Sequence, residues 1–236
     1  MSVIATKETL GFPGSVSDRE NEERRAERIE VELFFIDEEG RILLTRRSDN
    51  RKHYPGVWTP PGGRSQKGET GEEACAREVR EQLSVAADMQ HARLLLYRKD
   101  EGILREVFLV YQTIREEDIV PDPAKVSEVR FLLPEEADEL LRQSGQELPT
   151  RKEVESFVML ESMRRRIPLG HYRHFKGNEY LVKGLALHSE TLQPMVIYQA
   201  MYGPGEIWVR PASMWLENIE KDGETVPRFV LLDTDI

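Results

Sequence analysis

A single cysteine, Cys75, in 236 residues leaves no internal disulfide framework and no multi-cysteine zinc site. No apolar run approaches the ~20 residues a helix needs to span a bilayer, so no membrane segment is expected. The stretch from Met1 to Asn21 mixes charges and glycines without a basic segment followed by an apolar one. It does not read as a secretory signal, and the compartment expected is the cytoplasm. Cations are also in deficit. Against 43 Asp and Glu stand only 33 Lys and Arg, a net charge of −10. Nucleic acid and anionic membranes are repelled on average by such a chain. If it handles phosphates, it has to do so through divalent cations or focused arginines.

What is present, 39% hydrophobic and 32% charged residues, suits a globular chain long enough for two modest cores. Residues 1–27 end in an almost wholly charged run and read as a tail. From Ile29 the texture becomes apolar and β-like: Val31–Ile36, a turn at Asp37–Gly40, then Ile42–Leu44, which predicts a hairpin. The segment 51–68 is irregular. From Gly71 to Leu83 the apolar residues Ala76, Val79 and Leu83 fall on one helical face. Strand-like runs follow at 92–97, 107–113 and 128–133. Helices are predicted from Pro134 and over 152–165, the second ending in Arg164-Arg165-Arg166, where the helix dipole favours cations. After Gly170 come short alternating runs with aromatics at 180–187, 196–201, 207–210 and 229–232. This spacing predicts a small β barrel or roll, SH3-like in size, with a domain boundary near 166–170.

The segment that carries chemistry runs Gly63-Arg64-Ser65-Gln66-Lys67-Gly68-Glu69, then, after seven residues, Arg77-Glu78-Val79-Arg80-Glu81-Gln82-Leu83-Ser84-Val85. On a helix, residues 78, 81 and 82 share one face and direct two carboxylates and an amide into a common volume. Two carboxylates that close repel unless a divalent cation lies between them. Oxygen ligation of this kind suits Mg²⁺ or Mn²⁺, which retain waters and bridge to substrate phosphates.

These residues resemble the Nudix box: Gly63, Glu69, Arg77, Glu78, Val79, Glu81 and Val85 match its pattern without a shift in spacing, and Tyr54–Gly63 is similar to the segment that enters the box. The resemblance spans about residues 28–165 and implies an α/β fold, an α/β/α sandwich around a mixed sheet. It also implies a hydrolase that cleaves a phosphoanhydride in a nucleoside diphosphate linked to another group, with Mg (or Mn) as cofactor. Gly63 would offer a backbone carbonyl to the metal, Glu81 a carboxylate, and Glu78 would serve as ligand or general base. Glu69 and Arg77 would form the ion pair that holds the loop to the helix. Two positions depart from the pattern. Gln82 replaces a glutamate and can ligate only through a neutral carbonyl oxygen. Ser84 replaces the glycine that favours a left-handed helix end. The first departure keeps a second reading open, in which a Nudix fold with weakened turnover binds or senses a nucleotide.

For the substrate, the candidates are Arg46 and Arg47 at a strand end, for phosphate, and Trp58, for stacking on a base; a solvated or core-edge role competes at each. His53 and Glu128 are further candidates for proton transfer and for an additional carboxylate. The partner expected is a small nucleotide or diphosphate, with nucleic acid disfavoured; the oligomeric state is open, and a dimer is compatible. Leu43–Ser48 with Pro55–Thr59 and Val126–Arg130 is also similar to the isopentenyl diphosphate isomerase branch of the family. That branch needs a loop cysteine, whereas the loop after Trp58 reads Thr-Pro-Pro-Gly-Gly and the only thiol lies in the predicted helix. This reading therefore ranks last.

Residues 170–232 are similar to a small bacterial domain family of unknown function. His174, His188, Glu190, Tyr198, Trp208 and Arg210 form a polar-aromatic set from which a small barrel can build a ligand cleft. In the competing reading Tyr198 and Trp208 are core and the histidines cap turns. A metal site of His174, His188 and Glu190 is the remaining alternative.

Overall fold

The structure is a computed structural model describing residues 28–100, 103–143 and 149–234. The chain divides into two compact units, residues 1–146 and 147–236. In the first, β1 (Arg28–Ile36), β2 (Ile42–Arg47), β3 (Trp58–Thr59) and β4 (Gly62–Arg64) precede helix α1 (Gly71–Leu83). Strands β5 (Arg93–Asp100), β6 (Ile103–Tyr111) and β7 (Val126–Leu132) follow, then helix α2 (Pro134–Gln143). The strands form one mixed sheet of order β3-β2-β1-β6-β5, with β4 on β1 and β7 on β2.

The predicted hairpin is only a corner. Asp37, 3% exposed, accepts the backbone N–H groups of Glu39 and Arg41 and the Arg41 Nε, which makes a tight turn. Beyond it β1 and β2 meet at one residue pair, Ile36 with Ile42. β1 runs parallel to β6 along all nine residues, and its other edge takes β4. β2 pairs instead with β3 and β7. The two strands therefore diverge, and β4 fills the fork.

The unbroken apolar run Leu33–Ile36 is buried on both faces of the sheet, as a central strand flanked by helices requires. Helix α1 starts in a capping box, the Thr70 hydroxyl accepting from Glu73 N and the Glu73 carboxylate from Thr70 N. It buries Ala74, Cys75, Val79 and Leu83 in the same core as Val31, Leu33 and Phe108. Ala76, expected on that face, is half-buried, and Cys75 is fully buried.

The second unit opens with helix α3 (Pro149–Arg166), whose Leu160 and Met163, with Ile167 just beyond, pack with Tyr172, Val182, Tyr198 and Trp215. This packing groups the helix with the C-terminal residues, so the division by contacts precedes the boundary that texture suggested near 166–170. Strands β8 (Gly170–His174), β9 (Glu179–Leu187), β10 (Pro194–Ala200) and β11 (Ile207–Pro211) lead to the single turn α4 (Ala212–Trp215). The hairpin β12 (Asn218–Lys221) and β13 (Glu224–Pro227) and strand β14 (Phe229–Asp233) complete the unit. The antiparallel sheet has the order β11-β10-β9-β8-β14. Arg210 on one edge strand comes within 5.8 Å of the Phe229 ring centroid on the other, so the sheet curls into a partly open barrel. The buried tryptophan is Trp215, at 2% exposure; Trp208, expected in the core, is 54% exposed.

Candidate active site

Strand β4 and helix α1 bring the box together. Gly62 leaves no room for a side chain against the β1 backbone, and a side chain at Gly63 would displace Glu78. A Cβ on Gly62 would lie 2.1 Å from the Val31 carbonyl oxygen, and one on Gly63 would lie 2.4 Å from the Glu78 carboxyl carbon. The Gly63 backbone therefore lies directly against Glu78. Arg77 grips Glu69 through two hydrogen bonds, 2.8 Å from Nε and 3.0 Å from Nη2, and Nη2 also donates to the Arg64 carbonyl at 2.7 Å. One guanidinium thus ties the loop, β4 and the helix together, as the bidentate geometry of arginine allows. Arg77 holds the Glu69 carboxyl below its ordinary range, and Glu69 in turn raises the arginine. The fork has a further tine: Nη1 lies 2.9 Å from Glu78 and 3.5 Å from Glu81.

The acidic pair is held by two more side chains. Lys125, from the segment before β7, donates to Glu81 and lies 3.5 Å from Glu78. Its proximity is the main cause that keeps the Glu81 carboxyl below its ordinary range. Gln82, 7% exposed, donates its amide N–H to the Gly62 carbonyl and, at 3.2 Å, to Glu78. It reaches the cluster as a hydrogen-bond donor, whereas the sequence suggested a carbonyl ligand. Ser84 ends the helix at φ 60°, in the left-handed region, and its hydroxyl donates to the Val120 carbonyl. Backbone N–H groups of Val120 and Asp122 donate to the carbonyls of Leu83 and Gln82, so the terminal carbonyls are satisfied without the glycine.

A cleft of about 580 Å³ lies beside the cluster, lined by Glu32, Arg47, His53, Gly63, Arg64 and Glu78 among others. Of the residues proposed for substrate, Arg47 lines it, donating to the His53 carbonyl from two nitrogens. Burial, with Arg51 and Arg64 nearby, pushes the Arg47 guanidinium below its ordinary value. Arg46 and Trp58 are absent from the lining. They pair across β2 and β3, and Glu128 pairs with Arg46 from β7. This register puts all three on the face opposite Arg47, because side chains alternate along a strand. Arg46 is bound to Asp49 and Ser127, Trp58 carries the Arg130 guanidinium over its ring at 4.9 Å, and Glu128 is paired with Arg130. Sequence reasoning missed Arg51, Lys52 and Arg64, which line the cleft, and Lys125. A run of cations in the irregular loop at 51–52 was the available signal for the first two.

In the second unit, His174 and His188 each accept backbone N–H groups of the turn that follows, the capping role. Among the described residues no three His, Cys, Asp or Glu side chains converge as a metal site, so His174, His188 and Glu190 do not form one.

The model of the NUDIX domain matches residues 26–152, more than half of the chain and all of the site just described. The chain belongs to the Nudix family. A second model, a protein of unknown function (DUF1653), matches residues 170–231. An uncharacterized Nudix hydrolase of Listeria innocua is 28% identical over 120 residues, which are 50% of this chain and 70% of that protein. A nucleoside triphosphatase, NudI, of an Enterobacter species is 30% identical over 84 residues, 33% of this chain and 60% of NudI. A Salmonella heidelberg isopentenyl-diphosphate Delta-isomerase is 47% identical over 53 residues, only 22% of this chain and 29% of the isomerase. Cys75 is buried in α1, and burial raises its thiol strongly. No other thiol exists in the chain to serve an isomerase-like proton transfer. With its Nudix relatives and the box assembled, this Nudix member is a hydrolase.

Proposed function

We propose that the first unit hydrolyses the phosphoanhydride of a nucleoside diphosphate linked to a further group, in a reaction dependent on Mg²⁺ or Mn²⁺. The observation that carries this reading is the Lys125 ammonium shared by Glu78 and Glu81: the two carboxylates already accommodate positive charge between them. With the Gly63 carbonyl they form an all-oxygen donor set, which fits a hard divalent cation. When bound, such a cation neutralises the diphosphate and activates a water. In this reading Glu78, 13% exposed and packed against the Gly63 backbone, would accept the proton of the attacking water, and Glu81 would hold the cation. Arg77 fixes both carboxylates, and Arg47, Arg51, Lys52 and Arg64 face the cleft as phosphate donors. The focused basic lining offsets the net charge of the chain.

A second reading has a specific observation behind it. Gln82 supplies no charge and spends its amide on Glu78 and the Gly62 carbonyl, which favours a site with weak cation affinity that binds nucleotide without efficient turnover. A phosphate-release screen over nucleoside diphosphate derivatives with Mg²⁺ or Mn²⁺ separates the two. Turnover abolished by Glu81→Ala upholds the hydrolase. A silent wild type with an active Gln82→Glu upholds the binding module.

A further inference from the structure

One face of the second unit's sheet collects aromatic rings around an unpaired cation. Phe229 lies opposite His174, Tyr172 opposite Tyr180, Tyr180 opposite Ala200, Tyr198 opposite Trp208 and Val196 opposite Arg210. Paired residues of an antiparallel ladder share a face, so His174, Tyr180, Tyr198, Trp208, Arg210 and Phe229 lie on the same side. Trp215 stacks on Phe229 at 3.7 Å between centroids, with the rings 2° from parallel, and His174 approaches the same ring at 4.8 Å.

Two donors in this set are sealed from solvent without an acceptor: the indole N–H of Trp215 and the Nε of Arg210. Buried polar atoms without a partner are rare and cost free energy, so each calls for an explanation. Neighbouring arginines are matched to carboxylates, Arg173 to Glu179 and Arg228 to Glu217. Among the described residues Arg210 has no such partner. His174, half-buried, is pushed below its ordinary value first by burial and then by Arg210, Arg228 and Lys176. Arg210, Arg228 and Lys176 thus all lie near this ring, in a chain of net charge −10.

We infer that this face binds a small molecule bearing an oxyanion, a carboxylate or a phosphate, whose oxygens accept from Arg210 and Trp215 while its body rests against the rings still open to solvent, the exposed Trp208 and the half-buried His174 and Tyr180. Indole and guanidinium are donors only, so the ligand has to bring the acceptors, and the guanidinium favours those that carry charge. This site is separate from the Nudix cluster and does not depend on the function proposed for it.

The test is NMR of the full ¹⁵N-labelled chain. It has three tryptophans, and their indole resonances are assigned with Trp58→Phe and Trp208→Phe. Sodium acetate and sodium phosphate are titrated in parallel against sodium chloride of equal ionic strength, with EDTA present. The Trp215 resonance is expected to move saturably with at least one of the two anions, and the series that moves it identifies the group. Arg210→Gln should weaken that titration by about tenfold or more, the worth of one charge-assisted hydrogen bond. Arg210→Lys keeps the charge but removes Nε, and should also weaken it. Trp215 shifts no larger than in chloride with both anions would overturn the inference, as would a folded Arg210→Lys that titrates like wild type.

Discussion

Replacing Gln82 by glutamate restores the carboxylate typical of the Nudix box, yet the structure predicts that it first destabilises the protein. The amide nitrogen of this buried side chain serves the Gly62 carbonyl and the Glu78 carboxylate at once. A glutamate there replaces both donors with an oxygen, leaves the half-buried Gly62 carbonyl without this donor and sets two carboxylates against each other. Losing such bonds in a buried setting costs about 2–3 kcal/mol. For a protein of this size that is a fall in Tm of roughly 4–12 °C. Calorimetry in EDTA should show it in Gln82→Glu. Excess Mg²⁺ should then raise the variant's Tm by more than it raises that of wild type, because a ligand that prefers the native state stabilises it by mass action. A variant that melts within about 1 °C of wild type in EDTA would refute the bracing role of Gln82.

Lys125→Met should leave Glu78 and Glu81 screened by Arg77 alone. Stability without metal should fall by about 1 kcal/mol, a modest figure because Glu81 is 42% exposed, while titration calorimetry should show tighter Mg²⁺ binding. Arg77 lowers the Glu69 pKa, so that pair contributes stability above the unfolded carboxylate pKa and loses it as pH falls through the lower folded value. Urea midpoints of wild type and Glu69→Gln should therefore differ at pH 7 and converge on acidification below about pH 4; a constant gap would contradict the pairing. Ser84→Gly relieves a left-handed serine at the cost of its bond to Val120, and should raise the Tm or leave it within about 2 °C of wild type. A larger loss would mean that the hydroxyl anchors the 120–122 segment.

The legible parts of this molecule were those set by local spacing. The helical period placed α1 and its acidic face, and the spacing from Gly63 to Val85 identified the family. The capping box of Thr70 and Glu73 lay within reach of the same spacing, although sequence reasoning missed it. The opening of the β1–β2 corner was not legible, because β1's longest partner, β6, lies seventy-five residues away in sequence and no local pattern reports that pairing. Lys125 approaches Glu81 across forty-four positions, for the same reason. Arg46 and Arg47 looked equivalent as a dipeptide; strand alternation sends one to the cleft and the other to Asp49. In the second unit the β character and the capping histidines were readable. The exchange of roles between Trp208 and Trp215 was not, since it depends on a one-turn helix of four residues.

Because β1 and β2 touch at a single backbone pair, the corner after Ile36 works like the rivet of a pair of dividers. One leg carries the glycines and the acidic helix, and the other carries Arg47 and the loop that follows it. The length of the Asp37–Gly40 turn therefore bears on the span between the two legs without touching a residue on either.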